Sequence, residues 1–147
     1  MRLGDFVFSW GSCPQIKPAA QIPITQAEIS GILQIYKPKY IRITDGVKTA
    51  YDLDTYRQIC SLDLVKLKPY VAEIFDCDNY SLQQAADAQD LVSNPAFGIV
   101  DVVLPDGGLH SLCFFITSGL DLWYMEPQTG SCFPFSSVTY KPYFFSI

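Results

Sequence analysis

Three residues in the second half of the chain have the types and the order for nucleophilic chemistry: Cys77, His110 and Glu126. A thiolate is a strong nucleophile, an imidazole can take and return its proton, and a carboxylate behind the imidazole holds one tautomer and stabilises the charged form. Cys77 lies in "FDCDNYSLQQAADAQDLV", between Asp76 and Asp78, at the start of a segment with helical spacing. A helix start favours the thiolate through its dipole and unpaired N–H groups, and the two aspartates oppose it. A reactive Cys77 therefore needs a compensating cation, either protonated His110 or a hard metal ion held by the aspartates. The bland alternative is an inert, buried thiol beside a helix cap.

His110 is the one histidine of the chain and opens the run "LHSLCFFI". Turn chemistry predicts its partner. A three-residue loop, Thr117-Ser118-Gly119, puts a glycine where the chain must go left-handed. That register pairs Ile116 with Leu120, Phe114 with Leu122, Leu112 with Tyr124 and His110 with Glu126. The last two then face each other with Cβ atoms roughly 4.5 to 5.5 Å apart. Pro127 ends the ladder there.

The elements that must position these residues follow from periodicity. Asp5 to Trp10 reads as a first strand, and Thr25 with Glu28 forms a capping box that opens a helix over 26–36. The segment "KYIRITDGVKTAYDL" alternates around Asp45-Gly46 and reads as a hairpin. A short helix and turn follow in "DTYRQICSLDLVKL", stopped by Pro69. The segment from Leu82, with Ala85, Ala88 and Leu91 on one face, is an amphipathic helix ended by Ser93-Asn94-Pro95. Beyond Pro95 the chain reads as strands, with turns at 105–108 and 117–119. Helices followed by an antiparallel β-sheet make an α+β domain over 1–147, with an N-terminal helix and hairpin part (1–69) and a nucleophile helix plus sheet (70–147).

Composition bounds the partners. At 147 residues with 49% apolar and 14% aromatic residues, the chain can bury one core. The net charge of -5 and the absence of any Lys or Arg run argue against nucleic acid and anionic membrane. No apolar run is long enough to span a bilayer, and the N-terminus makes no persuasive signal peptide. The five cysteines are odd in number and scattered, which fits reduced thiols in the cytoplasm rather than a disulfide framework; Cys60, Cys113 and Cys132 sit in apolar runs as packing residues.

The blocks "FDCDNYSLQ", "GGLHSLCFF" and "LWYMEPQTG" together resemble, in order and character, the active-site blocks of the papain-like cysteine protease domain of the fairy-ring mushroom (Marasmius oreades) agglutinin type. The resemblance spans residues 70 to 130 and implies a papain-like fold with Cys77 as nucleophile, His110 as general base and acid, and Glu126 as the residue that orients it. It also implies calcium near the site, mapped onto Asp78 and Gln128. The chain departs from the family's pattern at Asn79, Thr129 and Leu109. The first 69 residues show no repeat of the sugar-binding trefoil kind, so lectin activity is not implied.

These readings converge on a cysteine hydrolase, a peptidase acting on a peptide or protein substrate. Two alternatives stand beside it: a catalytically inactive papain-like domain kept for binding or assembly, and a cell-wall endopeptidase of the NlpC/P60 type.

Overall fold

The computed structural model describes residues 16–147. The strand expected over Asp5 to Trp10, like Cys13, lies outside them. The first described elements are β1 (Gln21–Thr25) and α1 (Gln26–Gln34). Thr25 and Glu28 form the capping box expected of them, each side chain bonded to the other's backbone N–H.

The hairpin expected around Asp45-Gly46 does not form. Its two arms, β2 (Tyr40–Arg42) and β3 (Val47–Tyr51), join different sheets. β3 pairs antiparallel with β1, while β2 pairs in parallel with β8 (Lys141–Ser146) near the end of the chain. The alternation that suggests two mutually paired strands is real, but each strand finds a distant partner. Ile147 fastens the junction: its N–H donates to Arg42 O, and its carbonyl accepts from Thr44 N and Oγ1.

After β3 come α2 (Leu53–Leu62), capped by Asp52, a 3-10 turn (Val65–Leu67) and α3 (Cys77–Leu91). Strands β4 (Phe97–Val103), β5 (Leu109–Ile116), β6 (Leu122–Glu126) and β7 (Ser131–Pro134) then form a meander. The large sheet has the order β2-β8-β4-β5-β6-β7 and is antiparallel except at its β2 edge. The architecture is α+β, with a helix-rich first half and a sheet-rich second half.

Both faces of the sheet are covered, which is why residues 111–116 of β5 are buried on every position instead of on alternate ones. One face packs Leu112, Phe114, Ile116 and Phe145 against α1 and the β1–β3 pair through Ile24, Ile29, Leu33 and Ala50. The other packs Cys113, Phe115 and Met125 against α2 and α3 through Tyr56, Ile59, Ala88 and Leu91. Tyr56 stacks on Phe115 with ring centroids 4.2 Å apart and uses its hydroxyl to donate to Ile116 O at 3.1 Å. Gly98, in β4, is required by close approach: a Cβ there would lie 2.1 Å from the carbonyl oxygen of Ser146 in β8.

Candidate functional site

The start of α3 is built by its own first turn. The Asp76 N–H donates to Asn79 Oδ1 at 3.1 Å, and the Asn79 N–H donates to Asp78 Oδ1 at 2.9 Å. Asn79 thus has a local task, closing the cap with its amide oxygen, at the position where the resembled family more often carries an acid. Cys77 is the first helical residue and is half-buried. Its carbonyl accepts from Ser81 Oγ at 2.9 Å, and Ser81 O in turn accepts from the Cys113 thiol on β5 at 3.3 Å, so the helix start is tied to the sheet. Tyr80 secures the other side by donating to Lys68 O and packing edge-on against Phe75 at 4.7 Å.

His110 and Glu126 do meet, though not through the expected register. The ladder pairs Ile116 with Leu122 and Phe114 with Tyr124, two residues away from the three-residue-loop alignment. The connection runs over Thr117–Asp121, where the Thr117 N–H donates to Asp121 O and the Thr117 hydroxyl accepts the Asp121 N–H. Leu120, at φ 66°, takes the left-handed position that the shorter loop would give to Gly119. Glu126 therefore approaches His110 diagonally across the ladder, a distance a long side chain spans. Its Oε2 lies 2.7 Å from His110 Nε2. Its Oε1 accepts the Gln128 N–H at 3.0 Å, and its carbonyl accepts the N–H groups of Thr129 and Gly130. The sequence "EPQTG" is a turn that aims one carboxylate, with Gly130 at φ 76° closing it.

Cys77 and His110 line one groove of about 520 Å³, shared with Asp78, Asp101, Leu109 and Tyr143, and completed by Val103 and Ser111. Asp101 and Ser111 are cross-strand partners in β4 and β5, and the Ser111 hydroxyl donates to Asp101 Oδ1 at 2.8 Å. Asp101 and Tyr143 are site residues the sequence reading missed. The signal for Asp101 was present, as the single charge inside the apolar run "FGIVDVVL"; Tyr143 arrives only through the β8–β4 pairing, which no local pattern announces. The Asp76 carboxyl beside it raises Asp78 above the ordinary carboxylate range, with burial adding in the same direction.

Among the described residues no group of three or more His, Cys, Asp or Glu side chains is placed to hold a metal ion. Asp78 is engaged with its own helix cap, and Gln128 contributes its backbone N–H to Glu126. No hydrogen bond among the described residues joins Cys77 to His110, whose imidazole pairs with Glu126.

No family model matches the chain, and no curated protein matches it. Solved structures do. PSL1a, in a complex with E64, superposes with a TM-score of 0.70 at 21% identity, over 85% of this chain and 51% of that one. The lectin of Polyporus squamosus, bound to the human-type influenza-binding epitope Neu5Aca2-6Galb1-4GlcNAc, superposes with a TM-score of 0.68 at 19% identity, over 85% and 49%. The chain thus spans about half the length of each neighbour, and at these identities the likeness is one of fold. The neighbours are those of a fungal lectin, one of them carrying a sialylated glycan, and this overturns the expectation of a cysteine peptidase with a peptide substrate. Neither the NlpC/P60 reading nor the calcium dependence attached to the protease reading gains support from these neighbours. The described residues form an α+β fold related to that of a fungal lectin chain, with a groove at the start of α3.

Proposed function

We propose that the chain is a binding domain, a papain-like scaffold of the Marasmius agglutinin type kept for holding a ligand, with the α3 groove as its site and a neutral, hydroxyl-rich glycan as its occupant. The observation that carries this reading is the lining of the groove. Tyr143, Leu109 and Val103 offer an apolar surface for the flat face of a sugar ring, while Asp101, Ser111 and Asp78 offer acceptors for its hydroxyls. His110, held by Glu126, adds a polar group with a fixed direction. The glycan carried by the Polyporus squamosus lectin supports the ligand class. Two carboxylates in the groove favour a neutral sugar over one bearing its own carboxylate.

The test is isothermal titration of the full chain with Galb1-4GlcNAc and with its Neu5Aca2-6 extension, alongside D101N and Y143A. Saturable binding of the neutral sugar, weakened tenfold or more in both variants, supports the proposal. E64, the compound in the PSL1a complex, joins the panel with intact mass as the readout. Absence of any sugar binding, or a covalent E64 adduct on Cys77, would overturn it.

A further inference from the structure

Away from the groove, α2 and β7 bring two cysteines together. Cys60 Sγ lies 2.8 Å from Cys132 Sγ across a separation of 72 residues, and neither is bridged to another cysteine. That distance is roughly 0.8 Å longer than a disulfide bond, so closure needs only a small shift. The surroundings are fixed: Cys60 is buried against α2's own core, its thiol also facing Tyr56 O at 3.1 Å, and Cys132 sits opposite Met125 in the β6–β7 ladder. Cys132 is half-buried and reachable, whereas Cys60 is 3% exposed.

We infer that Cys60 and Cys132 form a thiol pair that closes to a disulfide when a low-molecular-weight disulfide such as oxidised glutathione is supplied. The two sulfurs have different parts. Cys132 is the attacking thiol, because the hydrogen bond from Cys60 and the nearby Arg57 guanidinium lower its pKa, and Cys60 keeps its proton because the Cys132 sulfur and its own burial raise it. The Cys132 thiolate attacks one sulfur of oxidised glutathione, forming a mixed disulfide and releasing one glutathione thiolate, which takes up a proton. Cys60 then gives up its proton and attacks the Cys132 sulfur, expelling the second glutathione. Two protein thiols are oxidised and one glutathione disulfide is reduced to two thiols. The loop so closed contains Cys77, His110 and Glu126, and it joins α2 to the strand that follows the Glu126 turn.

The experiment treats the full chain with oxidised glutathione, quenches in acid, alkylates the remaining thiols and maps peptides without reduction. The expected product is a Cys60–Cys132 linked peptide with Cys13, Cys77 and Cys113 alkylated, together with a rise in Tm on the order of 10 °C that dithiothreitol reverses. C60S and C132S should each abolish the rise while matching the parent's Tm to within a few degrees under reducing conditions. Should C60S fail to fold, C132S together with the peptide map decides the matter. A glutathione adduct that persists on Cys132, a disulfide from Cys60 or Cys132 to any other cysteine, or five freely alkylated thiols after oxidation would overturn the inference.

Discussion

Replacing Asp52 tests how the first half of the fold is fastened. Its carboxylate accepts four hydrogen bonds: Oδ1 takes the Thr55 N–H at 2.9 Å, and Oδ2 takes Ala19 N at 3.1 Å, Ala20 N at 3.0 Å and Thr55 Oγ1 at 2.8 Å. One oxygen caps α2 and the other tethers the segment leading into β1. Loss of an N-cap costs about 1 kcal/mol, and the tether, being partly open to water, adds about 0.5 kcal/mol for each of its backbone bonds. D52A should therefore lose about 2 kcal/mol, or roughly 4–8 °C in Tm for a chain of this size. D52N should lose less but not nothing, because only one of its two terminal atoms accepts. Acid supplies a second readout. Burial raises the Asp52 pKa, but the bonds from Ala20, Thr55 and Ala19 outweigh it and leave the carboxyl below its ordinary value of 3.8. Its contribution is thus present above pH 3.8 and fades as pH falls through the lower, folded-state value. The gap between parent and D52A, followed by chemical denaturation from pH 7 downward, should narrow only in strong acid. A loss below about 0.5 kcal/mol in D52A, or a D52N as stable as the parent, would refute the two-oxygen tether.

Other perturbations probe the core and its titrating groups. Gly98→Ala drives a methyl into Ser146 O and should cost about 3 kcal/mol or more, read as a collapse of soluble yield or a large drop in denaturation midpoint. Tyr56→Phe removes the hydroxyl that donates to Ile116 O and accepts from the Tyr51 N–H, and urea denaturation should show a loss of about 1–3 kcal/mol. Asp63 is buried, accepts from Val65 N and Gln84 Nε2, and has its pKa raised chiefly by burial and secondarily by Asp87. Its contribution is greatest below pH 3.8 and is lost as pH rises through the folded value, so the stability difference between D63N and the parent should shift in favour of D63N with rising pH. A difference that stays constant from pH 3.5 to 7 would remove Asp63 from the account.

Local signals carried far in this sequence where one residue does one local task. Thr25 and Glu28 announce α1, Pro95 ends the helical half, and the run from Phe97 to Ile116 reads as the two strands it forms. Long-range pairing is what local patterns miss. The alternation on either side of Asp45-Gly46 fits a hairpin as well as it fits two strands with separate partners, since both need the same half-buried pleat. The β5–β6 loop shows the same limit at shorter range. Gly119 is the residue most tolerant of a left-handed conformation, but Thr117's bonds to Asp121 favour a longer loop and put Leu120 there instead. His110 still met Glu126 because a diagonal approach forgives a register error of two, which preserves the face of the sheet. The groove's remaining wall, Asp101 and Tyr143, was hidden because it depends on which strand lies beside β4.

The place of β8 sets an order in time. The meander from β4 to β7 joins neighbours in sequence and can form early, whereas β8 must insert between β4 and β2, and β2 lies roughly a hundred positions upstream of its partner. Until β8 arrives, Val100 and Val102 stand on an unpaired edge that another chain could extend, and β2 has nothing to join. Folding should therefore end in a slow step that seals β4, β8 and β2 together, and crowding before that step should divert chains into aggregates more than crowding after it.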